Sequence, residues 1–218
     1  MRLGFHVSIA GGLARAFERA ESLGCETMQV FTSNPRGWRV AVLNQDDVEE
    51  FRVRMRHSDV SPVFAHMPYL ANLASSGEQA ERSRRMLREQ LRRCDKLGIR
   101  YLIAHVGKAM TTPEERALQN VAANVNAVIA ESLGSTILLL ENTAGMGSEI
   151  GYSFAQIAAI IGMLAAGDRI GFCLDTAHAF AAGYDWRTRP GTDEVLKELD
   201  ATIGIGRLYV IHLNDSKS

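Results

Sequence analysis

Short apolar runs recur along the whole chain, separated by longer stretches of helical period, and this alternation restricts the possible folds more than any other feature. The runs fall at residues 3–8 (LGFHVS), 27–32 (TMQVFT), 62–67 (PVFAHM), 101–106 (YLIAHV), 136–142 (TILLLEN), 170–175 (IGFCLD) and 208–213 (LYVIHL). Each is rich in Val, Ile, Leu, Phe and Met and bounded by turn residues, as buried strands of a parallel sheet are. Helical patterns lie between them at 11–23, 45–57, 78–97, 113–133, 153–166 and 191–203. Strict strand–helix alternation implies βα units around a parallel sheet. Seven such strands approach the eight of a TIM (β/α)8 barrel, which typically takes ~250 residues. The expected fold class is therefore α/β, a TIM barrel with about seven of its eight βα units present. No linker or low-complexity tract interrupts residues 1–218, so a single domain is expected, incomplete at its C-terminus.

Local signals punctuate the helices. Thr112-Pro113-Glu114-Glu115 reads as an N-cap followed by the proline and acids of a first turn, and Gly98 and Gly134 read as helix stops. In "EQAERSRRMLREQLRRCDKLG", Ala80, Met86, Leu87, Leu91, Cys94 and Leu97 fall mostly on one face. That leaves Arg82, Arg85, Arg88, Arg92 and Arg93 for the other, where the interleaved Glu78, Glu81 and Glu89 mark a solvated surface instead of a nucleic-acid patch.

The 24 basic and 25 acidic residues nearly cancel, so contact with a polyanion would rely on locally placed side chains. Cys25, Cys94 and Cys173 are far apart and form no CxxC, which fits buried reduced thiols in the cytoplasm. No run reaches the ~18 apolar residues of a membrane span. A monomer without membrane contact is expected.

In a βα barrel the working residues stand at the C-terminal ends of the strands, where the loops form one mouth. Strand three delivers His66, strand four His105, strand five Glu141, strand six Asp175 and strand seven His212. With only six His and 25 acids in 218 residues, one at the end of each of five successive strands is a strong signal. All are metal-ligand types, and adjacent strands ~4.8 Å apart let their side chains converge. Glu141 is central in the series and has two oxygens. Two sets follow, His66, His105 and Glu141 for one ion and Glu141, Asp175 and His212 for another. Bridged ions ~3.5–4 Å apart suit water activation and leaving-group stabilisation in phosphodiester cleavage. Imidazole with carboxylate favours Zn²⁺ over Mg²⁺. His178 is open between a further ligand and a loop hydrogen bond, His57 is expected to be solvated, and His6 is expected to support or pack against the site.

At these residues the sequence resembles the endonuclease IV family of apurinic/apyrimidinic endonucleases. The blocks "HVSIAGGL", "FTSNPRGW", "HMPYLANLA", "LLLENTAGMGSEIG", "LDTAHAFAAGYD" and "HLNDSK" carry the resemblance, from about residue 2 to 218. The resemblance implies a TIM barrel with three zinc ions that cleaves double-stranded DNA 5′ to abasic sites, leaves a 3′-hydroxyl and cleans blocked 3′ ends. It also implies that His66, His105 and Glu141 hold the first zinc, that Glu141, Asp175 and His212 hold the second, and that His178 belongs to the third. Arg36, Tyr69 and Leu70 would enter the DNA at the lesion.

Two loops depart from the family pattern, "HVGK" where a proline usually follows the histidine and "NPRGW" where glutamines usually flank the arginine. The family's Asp-x-His pair after strand seven and its glutamate on strand eight are absent, so two zinc sites are better supported than three. The rival enzyme is a metal-dependent sugar isomerase or epimerase on a related barrel. The rival of another class is a non-catalytic fragment that binds abasic DNA.

Overall fold

The computed structural model describes residues 1–216. The last residue of the HLNDSK block, Lys217, lies outside them. All seven expected strands form: β1 (Gly4–His6), β2 (Thr27–Phe31), β3 (Val63–His66), β4 (Tyr101–His105), β5 (Ile137–Glu141), β6 (Ile170–Asp175) and β7 (Leu208–His212). They make one parallel sheet in the order β1-β2-β3-β4-β5-β6-β7, each strand beside its sequence neighbour. The sheet curls until its two ends approach: Nε2 of His212 on β7 is 2.8 Å from Oε1 of Gln29 on β2. The architecture is a TIM-type barrel opened between β1 and β7.

Among the described residues seven α-helices flank the strands: α1 (Arg15–Ser22), α2 (Gln45–His57), α3 (Gly77–Leu97), α4 (Glu114–Ile129), α5 (Phe154–Gly162), α6 (Thr176–Ala181) and α7 (Arg189–Thr202). No helix among the described residues is long and apolar enough to cross a membrane.

Several local expectations are corrected. α4 takes Pro113 itself as N-cap, with no side-chain cap bond from Thr112, and ends at Ile129, four residues short of the expected stop. Gly134 is required for a different reason: a Cβ there would lie 1.7 Å from Asp95 Oδ2, and Asp95 Oδ1 accepts from the amide and hydroxyl of Thr136 at the entry to β5. Gly98 does end α3, in the left-handed conformation at φ 76°. The six-residue α6 was not expected. Asp175 caps it, accepting from the His178 amide at 2.8 Å.

The apolar face of α3 is buried as its spacing predicts. Arg93, however, is buried, not solvated, and donates to the carbonyls of Thr32 and Ala41. Beside it Gln90 accepts from Thr32 Oγ1 and donates to Ser33 Oγ. The helix thus holds the β2–α2 loop that carries Arg36, and a charged donor satisfies backbone acceptors that burial would otherwise leave unpaired.

Alternation along the strands sorts the core into two layers. Leu138 and Leu140 face the helices, while Ile137 and Leu139 fill the barrel interior with Phe64, Ile103 and Cys173. Gly171 also faces inward, where a Cβ would meet Tyr209 and Leu139 at 2.5 and 2.6 Å.

Candidate metal centre

The same two-residue period aims the candidate ligands. Ile137 and Leu139 continue to Glu141, Ile103 to His105, Phe64 to His66 and Cys173 to Asp175, so each ligand type stands one step above a side chain of the interior layer. Strand register levels them: His105 is paired with Glu141, and Asp175 with His212.

Glu141 is 2% exposed, and both of its oxygens are occupied. Oε2 lies 2.9 Å from His66 Nε2 and 3.1 Å from His105 Nε2, while Oε1 lies 2.9 Å from His212 Nδ1 and 3.7 Å from His178 Nδ1. One carboxylate oxygen therefore faces each half of the cluster. Burial would raise the Glu141 carboxyl, but hydrogen bonds from His105, His212 and His66 outweigh it and hold the group well below its ordinary value. Burial likewise disfavours charge on His105, yet its bond to Glu141 prevails and raises its pKa. His6 is lowered to about 4, first by burial and then by His66 and His212.

The ligand atoms of His66, His105 and Glu141 lie within 4.8 Å of one another, as do those of Glu141, Asp175 and His178. In the set of Glu141, Asp175 and His212, His212 Nδ1 lies 2.9 Å from Glu141 Oε1 and 3.9 Å from Asp175 Oδ2. Cys173, expected only as a buried apolar residue, is buried but also falls within the same 4.8 Å of Glu141 and His212. This donor set of imidazoles and buried carboxylates fits a borderline divalent ion such as Zn²⁺ better than an all-oxygen ion.

Neighbouring groups orient the candidate ligands. His66 Nδ1 donates to the Met67 carbonyl at 2.7 Å and His178 Nδ1 to the Asn142 carbonyl at 2.9 Å. The buried Asn142 side chain clasps the Asp175 backbone, accepting from its amide at 2.7 Å and donating to its carbonyl at 3.1 Å. Asn142 and Gln29 escaped the sequence reading. Both signals were present: Asn142 follows Glu141 directly, and Gln29 stands in the inward phase of its strand between Thr27 and Phe31.

Arg36 is exposed on the β2–α2 loop, its amide donating to Asn34 Oδ1. Tyr69 and Leu70 are 59% and 37% exposed at the mouth, and the Tyr69 ring is 5.2 Å from that of His66 and 5.6 Å from that of His105. In HVGK, Val106 stands where the proline usually does and is fully buried, and the glycine after it has a structural role. Gly107 adopts φ 118°, and a Cβ there would lie 2.1 Å from Asn72 Oδ1, which accepts from the Lys108 amide and ties the β4–α4 loop to the loop carrying Tyr69. His57 ends α2 exposed, as expected. A cleft of about 940 Å³ runs from the cluster along the opening between β1 and β7.

Known proteins share this fold and sequence. A family model described as xylose isomerase-like TIM barrel matches residues 17–218. A "Probable endonuclease 4" of Methanoculleus marisnigri is 45% identical over 99% of this chain and 77% of its own length, and one of Cenarchaeum symbiosum is 39% identical over 100% and 79%. The crystal structure of endonuclease IV from Thermus thermophilus superposes with a TM-score of 0.87 at 37% identity, covering 100% of this chain and 78% of that one. A D-tagatose 3-epimerase-like protein shares the fold at a TM-score of 0.74 and 17% identity, covering 98% and 77%. The chain belongs to the endonuclease IV family of xylose isomerase-like TIM barrels.

Proposed function

We propose that this chain is a zinc-dependent DNA repair endonuclease that cuts the phosphodiester bond 5′ to abasic sites, leaving a 3′-hydroxyl, and that also trims blocked 3′ ends. The observation that carries the proposal is Glu141, a buried carboxylate with one oxygen toward His66 and His105 and the other toward His212. That division is what two neighbouring cations require of a shared ligand. His66 and His105 would complete one site with Glu141; His212 and Asp175 would complete the other, with His178 beside Asp175 toward a third. Bound there, divalent zinc would supply Lewis-acid stabilisation of the phosphodiester and a lowered pKa for water.

The chain's own residues would do the rest. Arg36, exposed on the β2–α2 loop, would enter the duplex at the lesion as a basic wedge. Tyr69 and Leu70, exposed beside the cluster, would fill the gap in the duplex, since an abasic nucleotide has no base to stack and is cheap to displace.

A duplex carrying one synthetic abasic analogue tests the proposal. The 218-residue chain should nick it 5′ to the lesion with zinc, and neither with chelator nor as Glu141→Gln. A folded, zinc-loaded chain that leaves the duplex intact would sink the proposal. Binding without nicking would mark a non-catalytic fragment. The sugar-epimerase alternative rests on fold likeness alone, and ketohexose turnover by the same preparation would favour it.

A further inference from the structure

We infer that Gln29 is a positioning residue for His212, holding its ring so that Nδ1 faces the second half of the metal centre. The inference rests on the proposed metal reading of that centre. A histidine ligand needs its outer nitrogen fixed, because the partner of that nitrogen sets both the ring's orientation and which nitrogen is free to coordinate.

Two of the rings that contact Glu141 are fixed by backbone: His66 by the Met67 carbonyl and His178 by the Asn142 carbonyl. His212 differs. Its Nδ1 is 2.9 Å from Glu141 Oε1, and its Nε2 donates to the side-chain oxygen of Gln29, 2.8 Å away and 183 residues apart in sequence. The Gln29 amide is oriented in turn, because its Nε2 donates to Nδ1 of His6, the residue paired with it on β1, at 3.0 Å. A line of hydrogen bonds thus runs His6, Gln29, His212, Glu141 across the open end of the sheet. It also explains His6, which lies outside the ligand set yet faces inward.

Replacement of Gln29 separates acceptor from donor roles. Gln29→Leu removes the bond to His212, while Gln29→Glu keeps an acceptor and loses the donation to His6. Zinc is titrated against a competing chelator. Gln29→Leu should weaken the later-filling equivalent by about 10–100-fold and leave the His66–His105 equivalent unchanged, and Gln29→Glu should restore most of the loss. Leucine binding both equivalents like the parent, or glutamate losing as much as leucine, would overturn the inference.

A second readout needs no metal. In the zinc-free protein the Nε2 proton of His212 should appear by NMR as a hydrogen-bonded, exchange-protected resonance, present in the parent and Gln29→Glu and lost in Gln29→Leu. Its absence from the parent would also overturn the inference. If the parent takes up no zinc, the metal reading fails, while the proton still decides the role of Gln29.

Discussion

Glu141 and His105 form a pair in which each partner favours the charged form of the other. The folded His105 pKa is raised, so its interaction with Glu141 contributes stability that is fully present below the ordinary value of 6.5 and is lost as pH rises through the folded value. Glu141 is depressed, so its contribution is present above 4.5 and is lost as pH falls through its folded value. The pair should therefore contribute most to the metal-free chain between about 4.5 and 6.5, opposed by His6, whose folded pKa of about 4 withdraws stability as pH falls below 6.5. Zinc, if bound as proposed, should reverse the alkaline limb, because ligation at His105 would displace a proton and tighten as pH rises. Denaturation midpoints from about pH 5 to 9 with and without zinc would check this; parallel curves would refute it. The ligand types were legible in the sequence because a two-residue period and a strand end locate them. Their tautomers were not, since Met67, Asn142 and Gln29 meet those rings only in the fold.

At the scale of elements, strands were more legible than helices. All seven strands formed where short apolar runs predicted them, since two-sided burial leaves little choice of residue. Helix ends were less legible: α4 stops early, and α6 arises because the Asp175 side chain caps the segment that follows it. Arg93 is the sharpest departure. Its place in the sequence resembles that of its solvated neighbours, and only the return of the β2–α2 loop over α3 buries it. Arg93→Leu should cost about 1.5–3 kcal/mol, the range for hydrogen bonds that involve a charged group. It should also expose the loop to proteolysis between residues 33 and 43, which Arg92→Leu, on the exposed face, should not. Equal protection in the two variants would show that Arg93 does not hold the loop.

At the scale of the molecule, the candidate ligands tie together the strands from β3 to β7. A cation bound by them would act as a clamp on the opened sheet, and a ligand at about 100 times its dissociation constant adds roughly 2.7 kcal/mol to stability. For a chain of this size that is a rise of roughly 5–11 °C in Tm. Zinc should produce it and chelator reverse it, whereas a Tm indifferent to zinc would mean that the cluster does not bind it tightly.

The sequence by itself determined the parallel βα architecture and the identity of the five strand-end residues, because strand periodicity and burial are local consequences of residue order. Only the tertiary structure decided that Glu141 divides its two oxygens between two groups of histidines, that Arg93 turns inward, and that Gln29 reaches His212. Those contacts join segments up to 183 residues apart, and they exist only once the curling of the sheet has brought its second and seventh strands within hydrogen-bonding distance.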